Sequence, residues 1–358
     1  MKSRKVVKIK FLFLISLILF LLWSTVMAFF SSMSGIWEII RQFKFSMLPA
    51  VGFVVLAYIT NLTLWVFNWH ALLSSLGLKT RLRDLYASAL AGFFVDNVTP
   101  TIFVGGEIVM AYVLKRRSKL KVRLAKGLAT VLFQMICWFS GTVLFAFFSF
   151  LLAFLKLNLP LSAILLMLPP LIIFSILFFT LVSLILNRSI AERFAFFIAR
   201  RFKKTISHLN PDLKVDPEHR VKEWIETFHS SVSKIPNGRK KLAIGAITFL
   251  CMYLLETLSL KVLLLSVGED INFITLMVAL TLSVIVSLLS FVPGGIGVFE
   301  ISLAGMLSLS GVEVAKVLFA ITTHRLIFFW ASTISGGVIA IKTGLETVKA
   351  KEAREVLA

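Results

Sequence analysis

Seven ionisable side chains sit inside otherwise apolar runs of this 358-residue chain: Asp96, Glu107, Glu256, Lys261, Glu300, His324 and Arg325. In a hydrocarbon environment such groups are costly, so each points to a pathway, a paired site or a cap. Glu107 and Glu300 each follow a Gly-rich break, in TPTIFVGGE at 99–107 and VPGGIGVFE at 292–300. That puts each in the first turn of a half-helix, where free N–H groups and the helix dipole favour an anion. Two chemistries are open to them. A capping carboxylate is used up by its own helix terminus, whereas one turned into a cavity binds a cationic headgroup or exchanges a proton.

Arg325 is expected either to pair with Glu300 or to bind a lipid phosphate, and unlike Lys it stays charged when desolvated. Glu256 and Lys261 are five apart on one helix, about 500° of rotation, and therefore point about 140° apart. Each needs another partner. Lys261 is expected to snorkel to the end of its helix, and Glu256, which is deeper, is a candidate for a cavity or coupling role. Asp96, beside Asn97 and Thr99, reads as a hinge cap more than a substrate ligand.

Enzyme signatures are absent. No HExxH, Walker loop or GxSxG occurs, and the five His lack metal spacing, so no metal, cofactor or catalytic residue is expected. Cys137 and Cys251 both fall in apolar runs and read as small hydrophobes. Asn-X-Thr patterns at 61–63 and 97–99 lie at membrane depth and are discounted as glycosylation sites.

The elements that must position these groups follow from composition. The chain is 58% apolar and 16% charged, with 34 Phe, and its mean hydropathy is +0.92. A soluble domain carries about 25% charged residues. The net charge of +20 fits basic cytoplasmic loops of a polytopic membrane protein, not nucleic-acid binding. Six runs reach the roughly 20 residues needed to span: 11–30, 47–68, 127–153, 161–186, 242–266 and 317–341. The first is read as an uncleaved span in preference to a signal peptide. Two longer stretches, 85–114 and 274–309, are interrupted by Asn97, Thr99, Pro100, Gly105 and Gly106, and by Pro293, Gly294, Gly295 and Gly297. Each reads as two short arms, about 85–95 and 103–114 in the first, joined by a bend.

If both broken stretches return to the side they entered from, 32 of the 38 Lys and Arg become cytoplasmic and four remain outside. Full crossing by either one would move the basic segment 187–241, with its 13 basic and six acidic residues, or the basic C-terminus, to the outside. The expectation is therefore an all-α integral membrane protein of six full spans and two re-entrant hairpins, in the cell membrane with both termini cytoplasmic. Segment 187–241 reads as a basic interfacial loop on anionic lipid, or in part a solvated linker. The two halves, 1–153 and 161–345, then run in opposite senses within one membrane domain, 1–358. Inverted repeats with broken helices are a recurring plan of transporters. Pro and Gly that merely permit close helix packing are the alternative.

NVTPTIFVGGEIVMAYVL in the first half and SLLSFVPGGIGVFE in the second resemble the paired signatures of the flippase-like membrane domain related to lysylphosphatidylglycerol synthases. The resemblance covers nearly the whole chain, and PGGIGVFE at 293–300 is its most specific part. It implies a lipid translocase, linked in that family to aminoacylated phospholipid or polyprenyl-linked sugars. It also implies a stand-alone member without the soluble aminoacyl-transferase domain, hence no aminoacyl transfer.

The resulting expectation is movement of a phospholipid or lipid-linked headgroup through a polar cavity formed by the hairpins. Glu107, Glu300, Arg325 and Glu256 are its candidate ligands. Glycines 105, 106, 294, 295 and 297 let backbone N–H groups reach phosphate, and Asp96, Asn97, Thr99, Pro100 and Pro293 form the hinges. Membrane lipids, anionic at the cytoplasmic face, are the expected partners, with a lipid- or glycan-assembly enzyme a further one. A coupled carrier of a small solute and a non-transporting anchoring subunit are the alternatives.

Overall fold

The computed structural model describes residues 47–99, 105–118, 124–157, 161–193 and 235–343, with Leu14, Ile18, Leu21, Trp23, Glu226 and Ser230. The described residues contain helices and no strand. In chain order the helices that position the site are α1 (Leu48–Ser75), α2 (Leu82–Val98), α3 (Gly105–Arg117), α4 (Leu124–Lys156), α5 (Leu161–Leu186), α6 (Gly238–Ser266) and α7 (Phe273–Leu289). A 3-10 turn, Pro293–Gly295, leads to α8 (Val298–Ser308). The last run is α9 (Val314–Arg325), a π-helical turn Leu326–Trp330, and α10 (Ala331–Lys342).

Among the described residues four helices are long and apolar enough to cross a membrane: Leu48–Ser75, Gly127–Lys156, Gly238–Ser266 and Val314–Lys342. They match four of the six expected spans. The run expected at 161–186 is the helix α5. The run at 11–30 lies outside the described residues apart from Leu14, Ile18, Leu21 and Trp23, and most of 187–241 and the chain after Thr343 lie outside them as well. Large apolar side chains point outward along α1, α4, α5 and α6, among them Leu56, Phe154, Phe179 and Ile247. Helices that bury one face in protein and expose another apolar face are built for lipid.

Both broken stretches fold back on themselves. In the first, Arg117 at the end of α3 meets Asp84 at the start of α2 at 3.4 Å, while Gly106 meets Asp96 at the other end. In the second, Met306 near the end of α8 and Ile274 at the start of α7 pack in one cluster with Val278 and Leu282. The arms are longer than the apolar pattern indicates. α2 has 17 residues and α3 has 13, because the polar groups Arg83, Asp84 and Lys115 to Arg117 extend the helices past the apolar run. Asp84 in the first turn of α2 and basic residues in the last turn of α3 suit the helix dipoles.

The halves share a plan that their sequences barely show. α1 and α6 each end on a left-handed glycine, Gly77 (φ 73°) and Gly268 (φ 84°). The next N–H then returns to a carbonyl one turn back, Leu78 to Leu73 at 3.0 Å and Glu269 to Leu264 at 2.9 Å. The following arms, α2 and α7, are both 17 residues long. The contacts repeat too. Second arms pack on the next helix of their own half, α3 on α4 and α8 on α9, whereas first arms pack on that helix of the other half, α2 on α10 and α7 on α4. The largest apolar core joins α1, α4, α6, α7, α8 and α9 around Val54, Phe145, Leu263, Leu280, Leu303 and Ile321.

Candidate substrate cavity

Between the halves lies a cavity of about 420 Å³ lined by α1 to α4 and α6 to α10. Its walls are mostly aromatic and aliphatic, with Tyr58, Trp65, Phe93, Trp138, Phe299 and Phe328 facing inward. Such an enclosure, apolar with a few convergent polar groups, is the usual form of a ligand site. Asp96, Asn97, Glu107, Glu256, His324 and Arg325 all open onto it, together with Asn61 and Gln134.

The tip of the first hairpin is held by Asp96, in the last turn of α2. Its Oδ1 accepts from Gly106 N–H at 2.8 Å and so caps α3 from the neighbouring arm. A Cβ on Gly106 would collide with that carboxylate, which is why this position is glycine. Asn97 donates to Thr333 Oγ1 at 2.8 Å and Thr99 to the Val95 carbonyl at 2.7 Å, so both hinge side chains serve the fold. Gly105 opens α3, and Pro100 lies outside the described residues. Glu107 is 6% exposed, yet its Oε2 has no hydrogen-bond partner among the described residues.

The second hairpin is tied differently. Pro293 starts the 3-10 turn, and Gly294, Gly295 and Gly297 follow at φ 58°, 62° and 83°. At Gly294 the left-handed backbone brings the position so close to Phe329 and to the Asn97 carbonyl that a Cβ would lie 2.9 Å from that oxygen. The tips of the two hairpins therefore touch. Glu300 Oε2 accepts from Gly297 N–H at 2.7 Å, capping α8. Its Oε1 accepts from Arg325 Nε at 2.6 Å and from Trp23 Nε1 at 3.1 Å. A further Arg325 nitrogen donates to the Gly294 carbonyl at 3.0 Å, and the guanidinium lies 4.2 Å from the Phe329 ring centroid and 4.8 Å from that of Phe299. Glu300 is 1% exposed and fully engaged, so its equivalence to Glu107 ends at the sequence.

Glu256 on α6 approaches His324 on α9, Oε1 to Nε2, at 3.7 Å, whereas Lys261 bonds to Asp270 beyond its own helix. Among the described residues no group of three or more His, Cys, Asp or Glu could hold a metal ion.

The profile of the family described as the lysylphosphatidylglycerol synthase TM region matches residues 9–336. The chain belongs to that family. A UPF0104 membrane protein of Pyrococcus horikoshii is 26% identical over 313 residues, 84% of this chain and 90% of the relative. UPF0104 membrane proteins of Methanothermobacter thermautotrophicus (28% over 301 residues, 82% and 83%) and Methanocaldococcus jannaschii (27% over 310 residues, 84% and 88%) are also similar. Membership in this synthase TM family, with its apolar helices, makes the protein a multi-pass membrane protein.

Two amide side chains of the cavity wall, Asn61 and Gln134, were not among the site residues expected from the sequence. Asn61 donates from Nδ2 to the Met252 carbonyl at 3.3 Å and Gln134 from Nε2 to the Trp65 carbonyl at 2.8 Å. Both donors face backbone acceptors, which orients the amides and leaves Asn61 Oδ1 and Gln134 Oε1 buried without partners among the described residues. The signal for them was present: each is a lone amide in a long apolar helix, costly there unless it has a use. In this TM-region family member Asn61, Gln134 and Glu107 all line the cavity, and each holds one buried acceptor without a partner among the described residues.

Proposed function

We propose that this protein is a lipid translocase, moving a phospholipid or lipid-linked headgroup between leaflets through the cavity between its two hairpins. One observation carries the reading: three buried acceptors, Asn61 Oδ1, Gln134 Oε1 and Glu107 Oε2, lack partners among the described residues, and all three residues line one aromatic cavity. Buried polar atoms left unmatched are costly, so an occupant that donates hydrogen bonds is favoured. A headgroup bearing an ammonium or several hydroxyls is such an occupant. Arg325 has its charge matched by Glu300 and serves as the wall beside the second hairpin.

In this reading the hairpins are re-entrant, the halves are inverted, six spans cross the cell membrane and both termini are cytoplasmic. The basic segments 115–126 and 187–241 then rest on anionic lipid, where a lipid- or glycan-assembly enzyme could dock. No covalent chemistry is assigned to the cavity. The test is leaflet exchange of headgroup-labelled lipids in proteoliposomes, with aminoacylated, anionic and polyprenyl-phosphate lipids compared. Acceleration by the protein that folded Glu107→Gln loses supports the reading. No acceleration for any of the lipids overturns it and favours a carrier of a small solute.

A further inference from the structure

His324 is 1% exposed and stacks on Phe328 with ring centroids 4.4 Å apart and planes 11° from parallel. Neither of its ring nitrogens has a hydrogen-bond partner among the described residues. A neutral imidazole carries one N–H and one lone pair, so here both a donor and an acceptor stand open. Glu256 approaches at 3.7 Å, within ion-pair reach but longer than a hydrogen bond. Both side chains line the cavity.

The neighbouring cation, Arg325, is already committed. Arg325 gives Nε to Glu300, another nitrogen to the Gly294 carbonyl and its faces to Phe299 and Phe329. Among the described residues the ion-pair partner of Glu256 is His324, while Arg325 is paired with Glu300. From these contacts we propose that Glu256 and His324 together bind one transported proton, and that headgroup movement through the cavity is exchanged against it; this rests on the translocase reading above.

The physical case is one of alternatives. With no proton on the pair beyond the imidazole N–H, Glu256 is a carboxylate without a counter-ion in an aromatic wall, a costly state that a donating headgroup relieves. Adding one proton forms an O–H bond on Glu256, or an N–H bond on His324 that leaves an ion pair. A neutral imidazole N–H can already donate to the carboxylate after a side-chain shift of less than an ångström or so, but only the added proton cancels the negative charge of the pair. Proton and cargo thus satisfy the same carboxylate in turn. The bond formed from water on one side breaks to water on the other, and no other reactant is needed.

The surroundings leave the pair free to do this. Tyr253, one turn before Glu256 on α6, is bonded to Thr142, and Tyr58 on α1 packs edge-on against Phe328. Arg325 on α9 is matched by Glu300 on α8. From α4 and α7 the cavity is faced by the neutral Gln134, Trp138 and Ser287, and across it on α2 and α3 stand Asp96, fixed by Gly106, and Glu107.

Two measurements on the full chain test the proposal. The first is infrared difference spectroscopy of the purified protein against pH. A carboxylic-acid C=O band that fades as pH rises, is missing in Glu256→Gln and is displaced in His324→Gln is expected; a band indifferent to both substitutions overturns the pair. The second uses proteoliposomes with headgroup-labelled lipid and an imposed pH gradient, reading leaflet accumulation with the gradient relative to without it in each protein. A gradient of one unit is expected to hold up to about tenfold accumulation at one proton per lipid, and about none in either variant. Lipid exchange that ignores the gradient in the unmodified protein, or accumulation kept by both variants, overturns the coupling. If no lipid moves at all, the translocase reading falls, and the infrared band alone decides whether Glu256 and His324 hold the proton.

Discussion

Arg325 donates from Nε to Glu300 Oε1 at 2.6 Å while another of its nitrogens holds the Gly294 carbonyl at 3.0 Å, so one guanidinium from α9 fastens the break and first turn of the second hairpin together. In the first hairpin that task falls to Asp96, a carboxyl side chain on the hairpin's own first arm that takes the Gly106 N–H. Similar breaks are thus closed by different side chains, a guanidinium reaching in from a neighbouring helix and a carboxyl from within. The consequence is that Glu300 is consumed and Glu107 is not.

Breaking the Arg325 pair should be severe. Both side chains are at most 10% exposed, and removing one partner leaves a buried charge unmatched, at a cost of about 3–5 kcal/mol. Arg325→Ala and Glu300→Ala should each lower the thermal unfolding midpoint of the detergent-solubilised protein strongly. Arg325→Lys should recover only part, since an ammonium lacks the planar fork that serves Glu300 and Gly294 at once.

Asp96→Ala removes a cap and should cost about 0.5–2 kcal/mol. Asp96→Asn keeps an oxygen for the Gly106 N–H and should recover most of it. Equal unfolding midpoints for the two variants would show that charge, not the accepted hydrogen bond, is what Asp96 contributes.

Two glycine-to-alanine changes should act in opposite directions. Gly106→Ala drives a methyl into the Asp96 carboxylate and should cost about 1–3 kcal/mol as overpacking. Gly52→Ala, in α1 where the new Cβ would meet nothing within 4 Å beyond its own stretch of helix, should stabilise by about 0.5–1 kcal/mol, because alanine loses less freedom than glycine on entering a helix. Thermal unfolding of the two variants side by side is the check.

Glu107→Gln should leave the unfolding midpoint unchanged or slightly raised, since Oε2 has no partner to lose among the described residues and the change removes a desolvated charge. Lipid exchange by the same variant should fall. A marked loss of stability would assign Glu107 to the fold instead of the cargo.

Much of the architecture was legible before any coordinates. Apolar runs located α1, α4, α6 and the run α9 to α10, and Pro and Gly located both breaks, because span length and helix interruption are local properties of the chain. The arms were read too short because polar residues at helix ends look like loop to an apolar count. The shared endings of α1 and α6 were also present, as Gly77 and Gly268 each five residues ahead of the next helix, but a lone glycine says little until a partner element fixes the register.

The sequence by itself determined that this is a multi-pass helical membrane protein with two broken helices, each carrying a Glu just past its glycines. It could not separate those two glutamates, since their local contexts are alike and a local context predicts a cap for both. Only the tertiary structure decided the matter, through partners distant along the chain: Arg325 lies 25 residues from Glu300 and Trp23 lies 277 away. The same packing set Asn61, Gln134, Glu107, Glu256 and His324 around one cavity. Which buried groups are matched and which stand open depends on what the folded chain brings within about 3 Å, and hydrogen-bond geometry is a property of that approach, not of residue type.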